Sequence, residues 1–272
     1  MASTGSPAGS TRADATLIAV RVTAISDLHG AVEHLGVVAN DCDALLVLGD
    51  LINVLDYRTM DGILVEVYGR EPVAEAAELR ARGRFEEARE TIRRATDPNV
   101  DFRAQFVELA NKQYEEVFAA MPDNSYVTFG NVDVPDVLRS LVPDHVRFVD
   151  GESVRLGGTT FGFVGGGVQT PLGVPGEVPD AEYEAKFERV GPVDVICTHM
   201  PPRIPWYTYD VVAKKFEPGS VSLIAYAARH HPRYALFGHV HQPLVNRGTV
   251  HGTEFVNVSH FRATGRGFTI DA

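Results

Sequence analysis

Five short apolar runs of strand length each end in a residue able to bind a metal ion, and nothing else in the chain constrains its fold so tightly. Leu17–Ser26 leads into Asp27-Leu28-His29-Gly30, and Ala44–Leu48 into Gly49-Asp50. Tyr126–Phe129 leads into Gly130-Asn131-Val132-Asp133, Val193–Thr198 into His199, and Tyr234–Phe237 into Gly238-His239-Val240-His241. Their length and β-branched content predict buried strands. In a mostly parallel α/β sheet, residues just beyond the carboxyl ends of strands converge on one edge, so these side chains are expected to meet.

The donor types narrow the cofactor. Four histidines, two aspartates and an asparagine carbonyl, with no thiolate, suit Mn, Fe, Zn, Co or Ni better than a structural zinc. Asp27, His29, Asp50, Asn131, His199, His239 and His241 are too many for one ion. They imply two divalent ions sharing a bridging carboxylate, an arrangement suited to phosphoryl transfer to water. Glycines before Asp50, Asn131 and His239 fit tight turns at which a side chain would crowd the ions.

Elsewhere the reading is architectural. Residues 1–14, rich in Ala, Ser, Thr and Gly, read as a disordered tail without a secretion signal. Residues 15–272 read as a single domain carrying a helical insertion at about 56–111. Within it, Glu71–Arg82 and Arg84–Ala95 have helical composition, with Glu78/Arg82 and Glu90/Arg94 paired at i,i+4. Phe106, Val107, Ala110, Tyr114, Val117 and Phe118 form an amphipathic stripe that ends before Pro122. This insertion either restricts access or mediates dimerisation into a homo-oligomer, and its balanced charge does not choose. Ser153–Leu156 and Thr159–Val164 flank Gly157-Gly158 as a hairpin, which implies a second sheet. Gly165–Pro179 reads as an ordered loop over a site.

The chain has 25 Lys and Arg against 36 Asp and Glu, a formal net charge of −11, which argues against nucleic-acid binding. No apolar stretch is long enough to span a bilayer, so no membrane association is expected. Two cysteines, Cys42 and Cys197, build no disulfide framework, and the cytoplasm is the expected compartment. Cys197 reads as a small hydrophobe in a buried strand.

Asp-x-His, Gly-Asp, Gly-Asn-x-Asp, His and Gly-His-x-His, in this order, resemble the calcineurin-like binuclear metallophosphoesterases over nearly the whole chain. Gly165–Pro175 and His199-Met-Pro-Pro look most like the small prokaryotic branch that contains cyclic-nucleotide-phosphodiesterase-like enzymes. The resemblance implies a four-layer α/β/β/α sandwich of two packed mixed sheets flanked by helices. It implies that Asp27, His29 and His241 hold one metal, that Asn131, His199 and His239 hold the other, and that Asp50 bridges them. It further implies hydrolysis of a small phosphodiester, such as a cyclic nucleotide, by a metal-bridging hydroxide, with Mn²⁺ the expected activating ion.

Two positions depart from the pattern. Val132 stands where many members carry a histidine that contacts the phosphate or protonates the leaving oxygen, which shifts the expectation toward diesters. A phosphomonoesterase or protein phosphatase is the competing reading, and a non-catalytic scaffold of the same fold is another. Asn257-Val258-Ser259-His260 replaces the branch's Asn-Pro-Gly, so His260 is either an alternative proton donor or a structural residue. Asp133 either orients a ligating histidine or caps a loop. Trp206, Tyr207 and Tyr209 form either an aromatic wall for the substrate or loop packing. His34, His145, His230, His231 and His251 read as surface residues.

Overall fold

Alternate residues of a strand point to opposite faces, and the apolar runs here are buried on both. The computed structural model describes residues 19–171 and 173–272, so the expected tail over 1–14 lies outside the described residues. The first run is realised as β1 (Arg21–Ile25), with Leu17 and Ile18 also outside them. β1, β2 (Ala44–Val47), β3 (Ser125–Val127) and β4 (Val146–Phe148) run parallel. β15 (Phe268–Asp271) pairs antiparallel with β1 and closes that edge.

The second sheet begins with the expected hairpin, β5 (Glu152–Leu156) and β6 (Thr159–Val164). From β6 the sheet continues parallel through β9 (Val195–Thr198), β12 (Tyr234–Phe237) and β14 (Thr253–Asn257). Its far edge is the antiparallel β13 (Arg247–Val250). Two small ribbons accompany the sheets: β7 (Gly167–Val168) with β8 (Glu177–Val178), and β10 (Tyr209–Asp210) with β11 (Lys215–Phe216).

Side-chain alternation builds the layers. Ala44, Leu46 and Leu48 face Phe161, Phe163, Cys197, Leu236 and Val256 in a core between the sheets. Cys197 is fully buried there as a small hydrophobe, and burial pushes its thiol well up from the usual range. The intervening Leu45 and Val47 face outward onto α5 (Phe102–Ala120) and α6 (Pro135–Leu141). On the other side, Ile196, Ala235 and Phe237 lie in the same cluster as residues of α7 (Asp180–Val190) and α9 (Val221–His230). The fold is therefore mixed α/β, with two multi-strand mixed sheets between helical layers.

Helices α2 (Ile63–Tyr68), α3 (Arg70–Ala81), α4 (Phe85–Ala95) and α5 lie between β2 and β3. Arg82 pairs with Glu78 at 3.3 Å and Arg94 with Glu90 at 2.9 Å, all on exposed faces. Asp101 caps α5 by accepting from the Ala104 N–H at 3.0 Å, which satisfies one orphan donor. Ala110, Tyr114, Val117 and Phe118 are the buried part of the expected stripe, while Phe106 and Val107 are half-buried. Short helices α1 (Leu35–Ala39), α8 (Pro205–Thr208) and α10 (Phe261–Thr264) lie in connections. No helix among the described residues is long and apolar enough to cross a membrane.

Candidate metal centre

The loops after β1, β2 and β12 put side chains into the site only by adopting left-handed backbone. Asp27, His29, Asp50 and His239 have φ of 59°, 45°, 54° and 68°. L-residues other than glycine rarely occupy this region, and such strain persists only where surrounding bonds over-determine it. Those bonds are present. The Asp27 N–H donates to the Gly49 carbonyl at 3.1 Å, and the His29 N–H to the Asp50 carbonyl at 2.9 Å. The neighbouring glycines allow close approach of the loops. A Cβ at Gly130 would collide with the Asp50 carboxylate, and one at Gly238 with Asp27 Oδ2 and Ser26 Oγ. A side chain at either position would thus displace the donors themselves.

All seven expected residues come together. His29 Nε2 faces His241 Nε2 at 3.2 Å, with Asp27 Oδ1 at 3.9 Å and 3.5 Å from the two. Nearby, His199 Nε2 lies 3.0 Å from Asn131 Oδ1, and Asp50, His199 and His239 form a second convergent group. Asp50 belongs to both groups: its Oδ2 is 3.9 Å from His29 Nε2 and 3.4 Å from His199 Nε2. Donors on a common ion, with bonds of about 2.1 Å, stand roughly 3–4 Å apart, which is the spacing seen. Asp27 Oδ1 and His239 Nε2 are buried with no hydrogen-bond partner among the described residues. Unpartnered buried atoms of this kind, one in each convergent group of donors, fit a metal centre.

The outer ring nitrogens are committed elsewhere. His29 Nδ1 donates to the Ile52 carbonyl at 3.3 Å and His199 Nδ1 to the Leu48 carbonyl at 3.0 Å. A carbonyl only accepts, so Nδ1 carries a proton, and in the neutral ring the Nε2 lone pair faces the site. Burial works against ionised carboxylates here, yet the charge of His199 holds Asp50 below its usual range. Burial also works to lower His199, but Asp50 beside it carries that imidazole up to about 9. His239 is pushed down to about 4 by burial and by the charge on His199. Protonated His199 is thus the position at which a cation competes with a proton.

Asp133 does not touch a histidine. Its Oδ2 accepts from the N–H groups of Asp50 and Gly130, both at 2.8 Å, and its Oδ1 from Leu51 N–H at 3.0 Å and the Tyr114 hydroxyl at 3.1 Å. It caps two loops and fastens them together. Val132 contributes through its backbone, donating its N–H to Asp50 Oδ1 at 3.1 Å. The Gly165–Pro179 stretch, apart from residue 172, packs as an ordered loop: the Gly176 N–H donates to the Asn131 carbonyl at 2.9 Å.

Substrate contacts need one correction. Tyr207 is fully buried, its ring stacked on Phe255 and edge-on to Phe237, so it has no face to offer a ligand. Trp206 is 43% exposed, and Tyr209 packs on the exposed ring of Phe216. Residues outside the expected set also build the site. Asn257 Nδ2 donates to the Val240 carbonyl at 3.0 Å and so holds the His239–His241 turn. Arg262 donates to the His29 carbonyl and pairs with Asp56 and Asp61. His260 lies 6% exposed beside His241. The Asn257–His260 departure was the one sequence signal for this region.

Two mixed sheets with histidines and aspartates clustered at their strand ends make an α/β protein with a candidate metal centre. The sequence model of the calcineurin-like phosphoesterase family matches residues 20–243, and the chain belongs to that family. No curated protein matches it. One solved crystal structure shares 18% identity over 90% of this chain and 92% of its own, with a TM-score of 0.59, and supports the fold. The protein TT1561 of Thermus thermophilus is 12% identical, covering 93% of this chain and 99% of its own, with a TM-score of 0.49.

Proposed function

We propose that this chain is a binuclear metal-dependent phosphohydrolase acting on small phosphodiesters, a cyclic nucleotide being the specific case. Family membership supports metal-dependent phosphoester hydrolysis. The observation that carries the binuclear reading is Asp50 Oδ2, placed between His29 and His199 and common to both donor groups. Asp27, His29, Asp50 and His241 would hold one ion, and Asp50, Asn131, His199 and His239 the other. Two divalent ions, when bound, supply charge for the phosphoryl oxygens and a water acidic enough to lose a proton near neutral pH. The mixed oxygen and imidazole donors suit Mn²⁺ as the activating ion.

The chain's own residues set the rest. Val132 N–H holds Asp50 Oδ1, leaving Oδ2 free to bridge. Val132 offers no imidazole to a phosphate or leaving oxygen, which favours diesters over monoesters. Trp206 offers an exposed ring on which a flat group can stack. Likeness to the cyclic-nucleotide branch rests on the sequence motifs alone. Free Cys42 and Cys197 agree with a cytoplasmic location.

Hydrolysis of bis(p-nitrophenyl) phosphate and p-nitrophenyl phosphate by metal-stripped protein given Mn²⁺ tests the reading. A higher diester rate is expected. A higher monoester rate would transfer the proposal to a phosphatase, and no turnover with any divalent ion would leave a scaffold.

A further inference from the structure

Lys186 on α7 is 2% exposed, and among the described residues no other lysine or arginine is buried. Its Nζ lies 2.9 Å from Asp150 Oδ2, whose side chain is 6% exposed. Taking both charges out of water is costly, and apolar residues of similar volume commonly stabilise a core as well or better. The pair's hydrogen bonds give it a use that apolar residues could not supply.

Gly165, the first residue after β6, is gripped from both sides. Its N–H donates to Asp150 Oδ1 at 2.9 Å, and its carbonyl accepts from Lys186 Nζ at 3.0 Å. Two apolar side chains would leave both backbone groups without these partners. The Lys186 ammonium also lies over the Phe129 ring, 4.5 Å from its centroid. Arg139, about half exposed, approaches Asp150 Oδ2 at 3.6 Å from the solvent side.

From Gly165 the chain wraps the segment that carries Asn131. The Gly166 N–H donates to the Phe129 carbonyl at 2.7 Å, and the Gly176 N–H to the Asn131 carbonyl at 2.9 Å. A Cβ at Gly167 would lie 2.5 Å from Asn131 Cβ, and one at Gly176 would lie 2.0 Å from the Gly130 carbonyl oxygen. Contact this close passes a displacement of Gly165 on to Asn131. Asn131 Oδ1, 3.0 Å from His199 Nε2, is the one amide oxygen in the donor set. An amide carbonyl attracts a cation through a dipole rather than a charge, so its contribution depends on placement.

We infer that the Lys186–Asp150 ion pair positions Asn131 for the ion shared with His199 and His239, by clamping Gly165. Neither residue of the pair touches ion or substrate. The clamp makes no contact with Asp27, His29 or His241, so its influence falls on one ion of the two.

The inference rests on the binuclear reading, and one titration separates the two. Full-length protein is stripped with chelator and titrated with Mn²⁺, and Asn131→Ala marks which of the two affinities belongs to the Asn131 side. Lys186→Met is expected to weaken that same ion at least about tenfold and the other by less than about twofold. Val154→Ala, a cavity between the sheets away from this loop, is expected to lower Tm and leave both affinities unchanged. Equal weakening of both ions, or unchanged affinities in a folded Lys186→Met, would overturn the inference and leave the binuclear reading standing. Fewer than two ions in the wild type would overturn that reading and the inference with it. If Lys186→Met does not fold, the wild type decides, because coupling between ion and clamp is reciprocal. Mn²⁺ should then slow hydrogen exchange at the Gly165 N–H at least about fivefold more than in the β5–β6 hairpin, and equal slowing would overturn the inference.

Discussion

The Asp133 carboxylate accepts a hydrogen bond from the backbone N–H of Asp50 at 2.8 Å, so the residue that bridges the two donor groups is held by a buried anion beneath it. The same oxygen accepts from Gly130 N–H, and Tyr114 on α5 completes the set through Oδ1. Two loops separated by about eighty residues of chain are thereby locked in one register. Metal-site geometry and the packing of α5 on the first sheet are one cooperative unit.

Asp133→Asn is expected to lower stability by about 2–4 kcal/mol, because the amide NH₂, in either orientation, opposes two of the four donors. Thermal unfolding should show a clear drop in Tm together with weaker Mn²⁺ binding. An unchanged Tm would contradict the capping role.

Gly238→Ala should misplace Asp27, whose Oδ2 a Cβ would strike, and reduce turnover by about 10²-fold or more. Gly36→Ala is the matched control, since nothing lies within 4 Å of a Cβ there and the residue sits inside α1. It should leave turnover unchanged and add about 0.5–1 kcal/mol of stability. Equal turnover in the two variants would refute the argument from close approach.

His199 gives the pH dependence. Its folded pKa of about 9 lies above the ordinary 6.5, so its contribution to the metal-free protein is fully present below pH 6.5 and is lost as pH rises through 9. Chelator-stripped protein should therefore lose stability over that window, and the stabilisation conferred by Mn²⁺ should grow. Metal binding near pH 7.5 should release about one proton from His199, seen as a calorimetric enthalpy that varies with the buffer's ionisation heat. A buffer-independent enthalpy would be inconsistent with this.

Trp206 and Tyr207 are adjacent and their rings touch, but Trp206 is 43% exposed and Tyr207 is fully buried. Tyr207→Ala should cost about 3–5 kcal/mol, as expected for a buried aromatic. Trp206→Ala should leave Tm unchanged and raise KM for nucleotide diesters more than for bis(p-nitrophenyl) phosphate. Equal KM changes for both substrates would remove stacking from the account.

The convergence of Asp27, His29, Asp50, Asn131, His199, His239 and His241 was readable because each follows a strand, and strand ends of an α/β sheet share an edge. Loop capping was one of two readings open for Asp133, and the role of Asn257 was not read, because both act on backbone groups of loops distant in sequence, and residue type alone names no such partner. Trp206 and Tyr207 share one short aromatic run, and only the packing of Phe237 and Phe255 decides which ring goes inside. The stripe on α5 was legible from its period, whereas the half-burial of Phe106 and Val107 depends on where the helix meets the sheet.

The most direct test of Asp50 as the shared ligand is the stoichiometry and affinity of Mn²⁺ binding to wild type and Asp50→Asn, measured after chelator treatment. The account predicts two ions per wild-type chain and weakening of both in the variant. Retention of one site at wild-type affinity in Asp50→Asn, or a single ion in the wild type, would contradict it.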